Sequence, residues 1–169
     1  MTVRELREAD LRYLPSIELE AGALFSTVDM DAVANDDLPT VEELRLYLQL
    51  GRGWVAVDDH DVPIGYLIAD VVDNAAHIEQ VSVSPTWSRR GIGRALIDCA
   101  AAWASDQRLT AITLTTFTDV AWNGPYYERL GFRYLPEERI GPELREIRRR
   151  EVSRGLDSWP RASMWRPVQ

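Results

Sequence analysis

The chain has 169 residues, 46% of them apolar, enough to bury roughly two-thirds of its unfolded surface in one core, so a single domain over residues 1–169 is expected. A net charge of −8 disfavours general binding to nucleic acid, whose phosphates attract basic surfaces, and no run of about 18 uninterrupted apolar residues is present to span a membrane. Cys99 is the only cysteine, which excludes an internal disulfide, and the first twenty residues alternate charged and apolar groups where a signal peptide would hold an apolar core; a soluble, cytoplasmic protein is expected.

In chain order, Thr2 to Arg7 alternates as a strand with one buried face does. A helix follows, with Asp10 as its N-cap, Pro15 breaking or restarting it, and Ile17, Leu19, Ala21, Leu24 and Phe25 supplying apolar surface toward Ser26. Asp29 to Pro39 is acidic and irregular and reads as a loop. Thr40 to Leu50 opens with a capping-box pair, Thr40 and Glu43, and stops at Gly51. Trp54 to Val57 and Ile64 to Ala69 flank a short polar turn, residues 58 to 61, as hairpin strands do, and His60 in that turn is expected in solvent. Ala76 to Ser84 is a further strand closed by Pro85. From Gly91 to about Gln107, Leu96, Cys99, Ala100 and Trp103 recur at helical spacing, which places the Cys99 thiol on an apolar helix face as an unreactive group. Ala111 to Phe117 is a strand, Trp122 to Leu130 a short helix stopped by Gly131, Phe132 to Leu135 a strand, Pro142 to Arg154 a helix closed by Gly155, and Ala162 to Arg166 an edge strand. The order predicts an α/β fold: a mixed, mostly antiparallel sheet with helices on both faces and one parallel strand-helix-strand crossover, from residue 76 to residue 117.

The charge is split unevenly. Residues 1–79 hold 17 acidic and 5 basic groups, and residues 80–169 hold 10 and 14. Such a division suits a cationic substrate drawn to the first half and an anionic ligand held by the second, and equally a merely solvated acidic surface. The segment Ser88-Arg89-Arg90-Gly91-Ile92-Gly93-Arg94 joins a strand to a helix start, where unpaired N–H groups and the positive end of the helix dipole meet anions. Gly91 and Gly93 allow close backbone approach, and Arg89, Arg90 and Arg94 add charge, so the segment reads as an anion site or as an ordinary strand-to-helix loop. A dinucleotide fingerprint does not fit, because position 96 is Leu where a third small residue belongs. A Walker loop is excluded, because every basic residue in the chain is Arg.

The run His77 to Pro85, followed by Arg89-Arg90-Gly91-Ile92-Gly93-Arg94-Ala95-Leu96, resembles the cofactor-binding core of the GNAT N-acetyltransferase superfamily. Asn123 with Tyr126-Tyr127-Glu128-Arg129-Leu130-Gly131-Phe132 is similar to that superfamily's closing motif, and the resemblance covers about residues 53 to 135. It implies acetyl-coenzyme A as cofactor, with coenzyme A as product. Arg89, Arg90, Gly91, Ile92, Gly93 and Arg94 would cradle the pyrophosphate, Val81, Ser82 and Val83 would pair with the pantetheine arm as an added strand, and Asn123 would contact the cofactor. The family usually has Gln or Arg where this chain has Ser88, so the grip would pass to backbone amides and neighbouring arginines.

The implied reaction is direct attack of an amine on the thioester in a ternary complex. An alkyl ammonium has a pKa near 10, so a base or a water chain must take its proton. Glu79 is the candidate, against a surface carboxylate. Tyr127 would protonate the departing thiolate, against a ring that only packs under Phe132. The N–H of Val81 or a neighbour would bind the carbonyl oxygen as charge builds. His77 would face the acceptor or simply sit in the strand, and two histidines are too few for a metal site, so no metal is expected. Glu18, Glu20, Asp29 and Asp31 would meet a cationic amine, with Phe25, Trp54 and Trp122 as apolar walls. The expected partner is a small-molecule amine, without nucleic acid or membrane, for a monomer or homodimer. The alternatives are a protein or peptide N-acetyltransferase and a non-catalytic acyl-coenzyme A sensor.

Overall fold

In the computed structural model, which describes residues 1–168, the chain runs β1 (Thr2–Glu5), α1 (Leu14–Gly22), α2 (Asp31–Ala34), α3 (Val41–Leu50), β2 (Gly53–Val57), β3 (Pro63–Val72), β4 (Ala75–Val83), α4 (Ile92–Asp106), β5 (Ala111–Phe117), α5 (Gly124–Arg129), β6 (Arg133–Tyr134), α6 (Pro142–Ser153) and β7 (Arg161–Pro167). Short 3-10 turns occupy Glu8–Tyr13, Ala23–Val28, Pro85–Trp87, Glu137–Arg139 and Leu156–Ser158. The strands form one mixed sheet in the order β1-β2-β3-β4-β5-β7-β6. The β1/β2, β2/β3, β5/β7 and β6/β7 pairs are antiparallel and β4/β5 is parallel, as the expected crossover through α4 requires. Among the described residues, no helix is long and apolar enough to cross a membrane. The chain packs as two compact units, each assembled from two segments: residues 1–69 with 78–100, and residues 70–77 with the chain from 101 onward.

In the first unit, the Thr40–Glu43 capping box forms as the sequence predicts. Thr40 Oγ1 accepts from the Glu43 N–H at 3.2 Å, Glu43 Oε2 accepts from the Thr40 N–H at 3.1 Å, and Gly51 ends α3 with φ +67°. The start of the chain departs from expectation in one place. Asp10 is not an N-cap: it lies inside the first 3-10 turn, buried, where its carboxylate accepts from the Arg7 N–H at 2.8 Å and from Arg4 Nη1 and Nη2 at 2.8 and 3.0 Å. Pro15 restarts the helix, the second of the two outcomes expected of it: it sits in the first turn of α1, directly after the 3-10 turn, where a missing N–H costs nothing. The acidic segment after Asp29 also contains the one-turn helix α2. Leu11, Leu14, Ile17 and Leu44 from the helical layer close over Val55, Val57, Tyr66 and Ile68 of β2 and β3, every second residue of each strand, as alternation demands.

In the second unit, β7 returns between β5 and β6, pairing with β5 from Ala111↔Pro167 to Phe117↔Arg161. Helix α6 is capped from a distance. Asp73 accepts from the N–H groups of Glu143 and Leu144 at 3.0 and 2.9 Å, while Glu143 Oε2 accepts from the Asp73 N–H at 2.6 Å. Gly141 at the N-cap leaves room for this, since a Cβ there would fall 2.5 Å from the Asp73 carboxylate.

His77 sits in the strand, the second of the two placements expected of it. It is buried in the second unit with Nδ1 2.9 Å from Thr113 Oγ1, beside the short β4–β5 ladder. Burial pulls its pKa down to about 4, with Arg161 acting in the same direction against Glu151 and Asp73. The unfolded chain therefore binds the proton more readily, and stability falls as pH drops from about 6.5 to about 4, by roughly 3 kcal/mol for this group. Urea unfolding at pH 7 and pH 4.5 is expected to show that His77→Gln shrinks the difference in unfolding free energy by about 2 kcal/mol. An unchanged difference would remove His77 as its source.

Candidate functional site

The loop between β4 and α4 belongs to the first unit. After Val83 the backbone turns at Pro85–Trp87, with the Ser88 N–H bonded to Pro85 O at 3.1 Å. Arg89 and Gly91 then both adopt left-handed backbone, φ +60° and +74°, and α4 begins at Ile92, whose side chain is buried. The next amide with a backbone acceptor is that of Ala95, bonded to Gly91 O at 3.0 Å. The N–H groups of residues 89 to 94 therefore gather at the start of a 15-residue helix without partners among the described residues. Amides so placed, with the positive end of the helix dipole, are of the kind that meets anions. Arg89, Arg90 and Arg94 are exposed. Arg90 lies over the Trp87 ring at 4.8 Å, and Arg94 reaches Asp98 only at 3.7 Å in a solvated pair of little energetic weight.

Gly91 is required for its conformation and not for space: a Cβ there would meet nothing within 4 Å, but φ +74° is unfavourable for a side chain and worst for a β-branched one. On the expectation that this loop holds coenzyme A, Gly91→Val should weaken its binding at least tenfold, because the strain is relieved only by moving the amides. Unchanged affinity by calorimetry would sink the cradle assignment.

Strand β4 supplies a second feature. Among the described residues it pairs with β5 only at Ala76↔Ile112 and His77↔Thr113, so from Ile78 to Val83 its β5 side is unladdered, while β3 is its neighbour on the other side. The Val81 to Val83 stretch thus presents a backbone edge of the kind that takes an extended ligand as an added strand. Side chains alternate along it. Gln80 Nε2 donates to Ser82 Oγ at 2.7 Å and Ser84 Oγ donates to Glu20 Oε2 of α1 at 3.0 Å, so Gln80, Ser82 and Ser84 share the face that carries α1. Val83 lies on the other face, against Gly65 and Ile92. By the same alternation, the exposed Glu79 is directed away from α1, so the strand does not bring Glu79 and Glu20 to one face.

The expected acceptor residues separate similarly. Glu18 is half-buried on α1, and its Oε2 accepts from the fully buried Tyr66 hydroxyl at 2.8 Å. Burial raises its carboxyl above the usual range, the Tyr66 bond opposes this, and Asp36 adds to it. Phe25 is half-buried in the 3-10 turn after α1. Trp54 is buried in β2 opposite Leu67, on the sheet face away from Val55, Tyr66 and α1, whereas Glu20 is carried by α1. Ser84, whose hydroxyl meets Glu20, was not singled out from the sequence. The polar alternation Gln80, Ser82, Ser84 at the end of β4 and just past it is the signal that marks it.

In the second unit, Asn123 precedes α5; its Oδ1 accepts from Thr116 Oγ1 of β5 at 2.9 Å and its backbone oxygen accepts from the Tyr127 N–H at 3.0 Å. The Tyr127 ring packs edge-on against Phe132 and Tyr126, with centroids 5.8 and 5.3 Å away. Burial pushes the Tyr127 phenol well above its ordinary pKa, and its hydroxyl makes no hydrogen bond among the described residues. Trp122 is half-buried beside Asn123. Cys99 is half-buried on α4 with its thiol pushed up by burial and Asp98, which keeps it protonated and a poor nucleophile.

The sequence profile described as Acetyltransferase (GNAT) family matches residues 18–132. Among solved structures, the chain is similar to the PaiA N-acetyltransferase of Thermoplasma acidophilum in complex with coenzyme A, with 13% identity, 98% of each chain covered and a TM-score of 0.72. It is similar to a GNAT superfamily phosphinothricin acetyltransferase of Sinorhizobium meliloti in complex with AcCoA, with 19% identity over 99% of this chain and 88% of that one, TM-score 0.68. It is similar as well to a ribosomal-protein-alanine N-acetyltransferase of Brucella melitensis, with 17% identity over 99% of this chain and 100% of that one, TM-score 0.70. At these identities the likeness is one of fold. The profile spans more than half of the chain, including β4, the Arg89 to Arg94 loop and the Asn123 to Phe132 segment, and by that match the chain belongs to the GNAT acetyltransferase family.

Proposed function

We propose that this chain is one N-acetyltransferase domain that moves the acetyl group of acetyl-coenzyme A to a primary amine of a small molecule. The observation that carries this reading is the run of unpartnered amides from residue 89 to residue 94 beside the one-sided edge of β4. A pyrophosphate fits the first and an extended pantetheine arm fits the second. When bound, acetyl-coenzyme A supplies the thioester whose carbonyl carbon the amine attacks.

In this reading Arg89, Arg90 and Arg94 add charge around the amides that hold the pyrophosphate, Val81, Ser82 and Val83 lend backbone to the arm, and Asn123 contributes a side-chain amide whose oxygen is already engaged by Thr116. Tyr127 donates its proton to the sulfur as the C–S bond breaks, a role that suits a phenol kept protonated by burial. Glu79 takes the proton of the ammonium, directly or through water. The acceptor is cationic before it reacts. Between Arg12 and Arg45 the chain holds Glu18, Glu20, Asp29, Asp31, Asp36, Asp37, Glu42 and Glu43 and no basic residue, and Phe25 and Trp122 offer apolar surface.

The test is an acetyl-coenzyme A turnover screen against small amines, amino acids and peptides. Turnover with small amines supports the reading. Turnover confined to peptides would replace it with a protein acetyltransferase, and coenzyme A binding without any turnover would replace it with a sensor.

A further inference from the structure

Ser84 is where the cofactor loop leaves the sheet, and three elements meet on it. Its N–H donates to Ile64 O of β3 at 2.9 Å, its backbone oxygen accepts from the Trp87 N–H at 2.8 Å, and its hydroxyl donates to Glu20 Oε2 of α1 at 3.0 Å. Ser84 is buried, so its hydroxyl depends on a protein acceptor. The bond that Ser84 O makes to Trp87 sets the Pro85–Trp87 turn, and the Trp87 ring in turn carries the Arg90 guanidinium. A continuous series of contacts therefore runs from Glu20 through Ser84 and Trp87 to Arg90, one residue before Gly91. The other carboxylate of the same helix, Glu18, is tied to Tyr66 of β3, so α1 is anchored at two points and its end is held at a defined distance from the loop.

We infer that Glu20 is a positioning residue for the coenzyme A loop: through its bond to Ser84 it sets the turn that aims the amides of residues 89 to 94. This rests on the proposed use of that loop, and it departs from the reading of Glu20 as a contact for the amine. The two assignments differ in a measurable way, because positioning acts on the cofactor with no acceptor present. Charge and hydrogen bonding also separate. Glu20→Gln removes an anion but keeps an oxygen that accepts from Ser84, whereas Glu20→Ala removes both.

The experiment is calorimetric titration of coenzyme A, without amine, into the wild-type protein and the variants Glu20→Ala, Glu20→Gln, Ser84→Ala and the Glu20→Ala/Ser84→Ala pair, each checked by circular dichroism for native fold. Glu20→Ala and Ser84→Ala are each expected to raise Kd about tenfold, the pair no further than either alone, and Glu20→Gln by less than about twofold. Additive losses in the pair, or a Glu20→Ala affinity equal to or tighter than wild type, would overturn the inference. So would a raised KM for the amine with Kd for coenzyme A unchanged, which returns Glu20 to the acceptor. Wild-type protein that binds no coenzyme A would overturn the functional reading itself, a result distinct from a wild type that binds and variants that do not differ.

Discussion

Glu151→Ala is expected to cost about 3–5 kcal/mol of stability, the loss typical of breaking a buried ion pair from one side. Glu151 is buried on α6 and is the centre of a network in the second unit. Its Oε2 accepts from Thr115 Oγ1 at 2.6 Å and Arg161 Nη2 at 2.8 Å, and its Oε1 accepts from Arg148 Nη1 at 2.9 Å. Arg148 continues to Asp157 at 2.8 and 3.0 Å, and Arg161 lies over the Phe117 ring at 4.5 Å. Arg161 Nε is already buried without a partner among the described residues, so removing Glu151 leaves a cation still further from compensation. A protein of this size would lose about 10 °C in Tm, read by calorimetry or circular dichroism. Burial pushes the Glu151 carboxyl up, but Arg161, Thr115 and Arg148 together outweigh it and hold the group below the usual carboxylate range. The network's contribution is therefore complete above about pH 4.5 and is lost as pH falls through the lower folded value. The variant should show a weaker acid dependence below pH 4.5. A loss under 1 kcal/mol would mean that the buried charges had found other partners.

Tyr127→Phe is expected to lower kcat about a hundredfold while leaving Kd for coenzyme A within about twofold, the signature of a proton donor that acts in the transition state. The ring contacts with Phe132 and Tyr126 are retained by phenylalanine, and the lost hydroxyl makes no hydrogen bond among the described residues. Stability should consequently move little, and activity alone should report the change. An unaltered rate would leave Tyr127 as a packing residue and move proton donation elsewhere.

The elements legible in the sequence are those whose signals are local. Thr40 and Glu43 meet within one helical turn, Gly51 and Gly155 stop helices by their own backbone, and β5 runs from Ala111 to Phe117 as its β-rich composition predicts. The Arg89 to Arg94 loop was legible for the same reason, because a strand, two glycines and a helix start are contiguous. Asp10 shows the limit: a residue with cap chemistry was claimed by Arg4 and Arg7 instead, and a competing guanidinium is invisible to a local rule. Trp54 shows another, since an aromatic in a strand does not reveal which face it takes until a partner strand sets the register.

The sequence by itself determined the class of fold and the family, because short-range geometry and contiguous motifs carry both. The tertiary structure decided what depends on residues far apart in the chain. The insertion of β7 between β5 and β6, the short β4–β5 ladder, the Asp73 cap on α6, the Glu151–Thr115 bond and the Ser84–Glu20 bond each join groups dozens of residues apart. Such contacts are chosen by which surfaces the packed sheet and helices bring together, and no local propensity encodes that choice.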